Sequence, residues 1–183
     1  MPRGELTARV ALSIQQEFEN NGFFVLHDHR SLDPDSSEKV RELHVFFGEA
    51  PNRETILADL DIAIISKNDM VIALIEIEET TDKPKVILGD ILAILLGNGI
   101  TDKNKKAYKV GKWTTLIVMS HGSHHERTAF ISEQTNILKE NLKTHDKTIG
   151  QIIVENFADE EQLEETLKHH VTMAIDNYKN RNM

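Results

Sequence analysis

Two apolar segments joined by a three-residue turn constrain this chain more than any other feature. Ile56 to Ser66 and Met70 to Glu78 are rich in Ile, Val and Leu, and Lys67-Asn68-Asp69 separates them. That pattern predicts a buried β-hairpin. Carboxylates interrupt it: Asp59 and Asp61 in the first segment, Glu76 and Glu78 in the second. Strand side chains alternate between faces, so Asp59 is expected to share a face with Asp61, and Glu76 with Glu78. Asp61 and Glu76 stand almost symmetrically about the turn, so strand pairing is expected to bring them together. Three or four carboxylates then converge at one end of an otherwise apolar sheet. Like charges in contact raise one another's pKa and destabilise the fold. A divalent cation removes the conflict, and oxygen donors without thiolate suit Mg²⁺ or Mn²⁺. The plainer alternative is an exposed rim whose acids have separate basic partners. The apolar runs on both faces argue against it, because burying unpaired charge is costly.

The rest of the chain alternates helix and strand. Leu6, Val10, Ile14 and Phe18 recur every four residues, which predicts a helix stopped by Asn20-Asn21-Gly22. A strand is expected over Phe23 to Asp28, a turn over Ser31 to Ser37 and a short helix over Glu38 to Val45. After the hairpin, Pro84 suits the start of a helix over Asp82 to Leu96, which Gly97-Asn98-Gly99 ends. Thr101 to Lys112 reads as a basic loop and Trp113 to Ser120 as a strand. A helix over Glu126 to Lys143, a strand over Gly150 to Val154 and a helix over Glu160 to Asn177 complete the order. A hairpin followed by strand–helix–strand alternation predicts an α/β fold, with a mixed sheet flanked by helices on both faces. No linker divides it, so 1–183 reads as one domain.

Composition narrows the chemistry. The 183 residues include no cysteine, which excludes disulfides, thiolate zinc sites, iron–sulfur clusters and cysteine nucleophiles. No apolar run approaches the ~20 residues of a membrane span. Met1-Pro2-Arg3-Gly4-Glu5 has no signal-peptide core behind it, so no membrane partner and a cytoplasmic location are expected. The net charge of −9 argues against non-specific coating of nucleic acid, although residues 101–150 are net basic.

Asp61 opening an apolar strand, a turn, and Glu76-Ile77-Glu78 closing the next strand together resemble the PD-(D/E)xK nuclease superfamily. The helix and strand that follow match that superfamily's αβββαβ core, and the likeness covers roughly residues 6–120. It implies a restriction-endonuclease-like mixed central sheet flanked by helices. It also implies a metal-dependent endonuclease hydrolysing DNA phosphodiester bonds, in the manner of a small restriction enzyme. Asp61 and Glu76 would hold Mg²⁺ or Mn²⁺ with the Ile77 carbonyl, and Glu78 would orient or deprotonate a water. Asp59 is a reserve ligand, and Glu17 on the first helix matches an auxiliary acid. Two departures stand out. Leu60, not proline, precedes the acid, and Glu78 occupies the position usually held by lysine, as in some active restriction enzymes. Lys83 or Lys85 would supply the displaced cation. Cutting both strands of a duplex implies a homodimer with two-fold symmetry.

The loop after the helix holds Lys103, Lys105, Lys106, Lys109 and Lys112, which suit contact with a phosphate backbone. His121, His124 and His125 lie in a strand-to-helix connection whose spacing matches no zinc pattern. His121 is kept as a secondary site residue, at the end of the strand. His27-Asp28-His29 closes the first strand and reads as a polar end. Gly89-Asp90 interrupts a helix, and close packing of the glycine on the sheet is the expected reason. Two other readings are open: a non-catalytic nucleic-acid-binding or assembly module with a degenerate site, and a metal-dependent phosphoesterase that also uses His121.

Overall fold

The computed structural model describes residues 4–28, 43–79, 84–122, 125–141 and 149–182. Four helices and two sheets occur among them. The larger sheet has the order β1 (Phe24–His27), β4 (Ile62–Ile65), β5 (Val71–Glu78), β8 (Thr115–His121), β9 (Gln151–Phe157). β1, β4 and β5 pair antiparallel, whereas β5–β8 and β8–β9 are parallel, so this sheet is mixed as expected. The smaller sheet runs β3 (Ile56–Asp59), β2 (His44–Phe46), β6 (Gly99–Thr101), β7 (Ala107–Lys109).

Helices cover both faces of the larger sheet. On one side α1 (Glu5–Glu19) and α4 (Glu160–Asn182) pack together on Ile62, Ile64, Ile75, Ile77 and Ile117. The α1 stripe of Val10, Ile14 and Phe18 is buried there, against Leu163, Leu167 and Val171 of α4. The apolar stripe of α4 therefore belongs to the core. On the other side α2 (Pro84–Leu96) and α3 (His125–Asn141) cover Ala63, Leu74, Leu116 and Val118. Asp159 caps α4: its Oδ1 accepts the Gln162 amide at 2.9 Å.

Four expectations need correction. The segment Ile56 to Ser66 is not one strand. It breaks at Leu60-Asp61, sending β3 into the smaller sheet and β4 into the larger. Leu60 is buried at the break, and its amide donates to the Leu43 carbonyl at 3.0 Å. Residues 44–46 form β2, where the end of a short helix was expected; residues 38–42 and the turn over 31–37 lie outside the described residues. The basic stretch is not a loop but the β6–β7 hairpin. Lys105 turns it with φ 61, and the Asp102 carboxylate accepts the Asn104 and Lys106 amides. Finally, Gly89 is not packed on the sheet: a Cβ built there meets nothing within 4 Å.

Gly89→Ala is therefore expected to stabilise the fold by up to about 1 kcal/mol, the usual helix-interior cost of glycine. Gly150 is the opposite case, since a Cβ there would stand 1.9 Å from the Lys112 carbonyl oxygen. Gly150→Ala should destabilise by about 1–3 kcal/mol, as overpacking does. Urea midpoints of the two variants, compared with the parent, check both signs.

Candidate functional site

The β4–β5 hairpin forms with the register that the sequence pattern implies. Ile62 stands opposite Ile75, so Asp61 falls opposite Glu76, one residue further out. Asp61 Oδ2 accepts the Ile77 amide at 2.7 Å, which fixes this carboxylate across the strand end. The row extends to β1, where the Asp28 amide donates to the Asp61 carbonyl at 3.0 Å. Asp61, Glu76 and Glu78 fall on the α2 side of the sheet, because they alternate with Ile62, Ile75 and Ile77 on the α1 side.

A cleft of about 440 Å³ opens over this end. Asp59, Asp61, Glu76, Glu78, Glu79 and Asp90 line it, together with Gly4, Thr7 and Ile77. A smaller hollow of about 30 Å³ lies under α2, among Glu76, Glu78, Asp90, Ile87, Ile91 and Val118. That volume admits a single water or ion.

Each acid is held differently. Glu79 caps α1 from outside the helix: its carboxylate accepts the Gly4 amide at 3.0 Å, the Thr7 amide at 2.8 Å and the Thr7 hydroxyl at 2.6 Å. A carboxylate suits a helix N-terminus, whose amides lack partners of their own. Asp59 lies on the other sheet and meets His44, with Oδ1 2.7 Å from Nδ1. It still lines the cleft, but it reaches it from β3 and not by sharing a strand face with Asp61. Asp90 comes from α2. Burial raises its pKa, and the carboxylates of Glu78 and Asp61 raise it further.

Glu76 is the group under most stress. Its Oε1 is sealed from solvent and has no hydrogen-bond partner among the described residues. Burial pushes its pKa well above the usual carboxylate range. The Asp61 and Asp90 carboxylates add to that, against a hydrogen bond from the Asp61 backbone. An isolated buried carboxylate beside two others requires a proton or a cation. The donor set, all carboxylate oxygen, fits a hard divalent ion such as Mg²⁺ or Mn²⁺. Among the described residues, however, no group of three or more acids or histidines is placed to hold a metal ion.

Other expected site residues stand elsewhere. Glu17 lies about 15 Å beyond Thr7 along α1, at 1.5 Å per residue, so it does not join the cleft. It pairs instead with Lys168 of α4 at 3.1 Å. His121 alternates with Ser120 and therefore faces the α1–α4 side, where its ring meets Phe157 edge-on at 5.3 Å. Lys85 is exposed on the first turn of α2 and lines neither hollow. Lys83, His29 and His124 lie outside the described residues.

Lys103, Lys105, Lys106, Lys109 and Lys112 line neither the acidic cleft nor the hollow under α2. Lys106 pairs with Asp69 at 2.7 Å, and Lys109 bridges Met70, both at the turn end of the β4–β5 hairpin. That end is about 20 Å from Glu76 at the usual rise per strand residue.

Glu79 and Asp90 escaped the sequence reading as site residues. Asp90 carried a usable signal: it lies three residues after Ile87 and four before Ile94, both buried on the inner stripe of α2. No described helix is long and apolar enough to cross a membrane. Compared with family models, curated proteins and solved structures, the chain matches none of them.

The buried glutamate sets a pH dependence. Unfolded, Glu76 titrates near the ordinary carboxyl value of 4.5; folded, it titrates higher. Between the two values the native state binds more protons, so stability falls as pH rises through that window. The metal-free melting temperature should therefore fall as pH rises above the ordinary carboxyl value, and Glu76→Gln should flatten the decline. A wild-type melting temperature constant across that window would contradict the strained carboxylate.

Proposed function

We propose that this chain is a metal-dependent nuclease with a restriction-endonuclease-like core, acting on DNA phosphodiester bonds. The observation that carries the reading is Glu76 Oε1, buried without a partner beside Asp61 at the end of an apolar hairpin. The order α1, β1, β4, β5, α2, β8 supports it, with an antiparallel β1–β4–β5 set and a parallel β5–β8 pair. That order is compatible with the αβββαβ core that the resemblance implies, with β2–β3 and β6–β7 inserted into it.

In this reading Asp61 and Glu76, with the Ile77 carbonyl, hold Mg²⁺ or Mn²⁺. The bound ion would lower the pKa of a water and neutralise charge building on the phosphate. Asp61 is oriented for the role by the Ile77 amide. Glu78 accepts the proton of the attacking water, in the position where the superfamily usually has lysine. Asp90 closes the site from α2, and Glu79 anchors α1 beside it. Two copies related by a two-fold axis would cut the two strands of a duplex.

A second reading has its own support. The glutamate at the lysine position and the distance of the lysine hairpin from the cleft fit a module that binds nucleic acid without cutting it. The two readings separate in one experiment. Incubation of supercoiled plasmid with Mg²⁺ or Mn²⁺ should give nicked and linear DNA. Glu76→Ala should slow this by about 100-fold or more, as loss of a metal-site group does. Intact plasmid in both metals, with DNA retention unchanged by Asp61→Asn, would leave the binding module.

A further inference from the structure

The smaller sheet carries a second cleft, of about 590 Å³, within the range of small-ligand pockets. Phe46, Gly99 and Lys109 form one rung across β2, β6 and β7 and line it. Tyr108, Asn98, Trp113 and the carboxylate-bearing Glu49 also line it. Two glycines make room for the rings. A Cβ at Gly99 would stand 2.6 Å from the Phe46 ring, and one at Gly111 would stand 2.6 Å from the Trp113 ring.

Two polar atoms in this wall are unexplained. Trp113 Nε1, a donor, and Asn98 Oδ1, an acceptor, are both sealed from solvent and have no hydrogen-bond partner among the described residues. Buried polar groups in folded proteins are nearly always paired, so an orphan donor and an orphan acceptor beside one cleft need an explanation. The cleft is also next to the basic end of the molecule. Lys109 lines it, Lys106 lies over the Tyr108 ring at 4.9 Å, and Arg181 donates to the Lys112 carbonyl at 2.7 Å.

We propose that this cleft binds an unstacked nucleobase, with the adjoining phosphate on Lys109. A base has flat faces for aromatic walls, and its edge carries both an acceptor for Trp113 Nε1 and a donor for Asn98 Oδ1. Both atoms are sealed in the free protein, so the indole and the amide must turn toward the cleft as the base binds. The lysine gives affinity for phosphate without regard to sequence. The choice of a nucleobase over another planar heterocycle rests on the nuclease reading above; the cleft and its orphan atoms do not.

Trp113 is the only tryptophan of the chain, so its fluorescence reports on this cleft alone. The probes are an eight-nucleotide oligothymidylate, thymidine monophosphate and an abasic octamer, titrated in EDTA at low salt. Expected is saturable quenching by oligothymidylate, weaker quenching by the mononucleotide, and no saturable change with the abasic strand. Lys109→Ala, on an exposed position, and Asn98→Leu, checked for folding by circular dichroism, should each weaken oligothymidylate binding about tenfold. Equal response to the abasic strand, no saturable response to any probe, or affinity unchanged in both variants would overturn the base site. Since the titration needs no metal, quenching without plasmid cleavage removes only the nuclease reading. Cleavage without quenching removes only the base site.

Discussion

The hydrogen bond from the Ile77 amide to Asp61 Oδ2 joins the two halves of the acidic end. It places a carboxylate across the mouth of an apolar hairpin and leaves Glu76 directly opposite, with one oxygen sealed from water. Everything nearby answers that arrangement. The chain passes from the smaller sheet to the larger at Leu60-Asp61, beside the cleft that Asp59 and Asp61 line. Glu79 turns away from the other acids to cap α1, so one carboxylate is neutralised by helix amides and not by a cation. Asp59 is occupied by His44 at the rim. Asp61, Glu76, Glu78 and Asp90 also face the cleft, and of these Glu76 keeps one sealed oxygen with no hydrogen-bond partner among the described residues.

Charge is segregated along the β5 direction. Carboxylates gather where β5 ends, and lysines gather where it begins, around the Lys67-Asn68-Asp69 turn and the β6–β7 hairpin. The net charge of −9 conceals this separation. A polyanion approaching such a molecule is drawn to one end and repelled from the other unless cations occupy the acids.

Much of the site was legible before any coordinates. Symmetry of Asp61 and Glu76 about the turn requires only alternation and antiparallel pairing, and both hold here. The fate of Asp59 was not legible. Asp59 and Asp61 are poor strand formers, but the apolar residues around them suit a strand and hide the break at Leu60-Asp61. The break exists because Leu60 finds a buried place near Leu43 and β3 finds a partner in β2. The lysine stretch misled for a similar reason: Ala107-Tyr108-Lys109 is a short alternation that becomes a strand only by pairing with β6.

Sequence alone determined the α/β class, the buried hairpin and the meeting of Asp61 with Glu76, because these depend on periodicity and on pairing across a short turn. Tertiary structure decided the rest. It separated the lysines from the carboxylates, turned His121 to the α1–α4 side, paired Glu17 with Lys168 and brought Asp90 over Glu78. These outcomes depend on which sheet a strand joins and which helix covers which face. Those choices are made by contacts between residues far apart in the chain, and no local pattern records them.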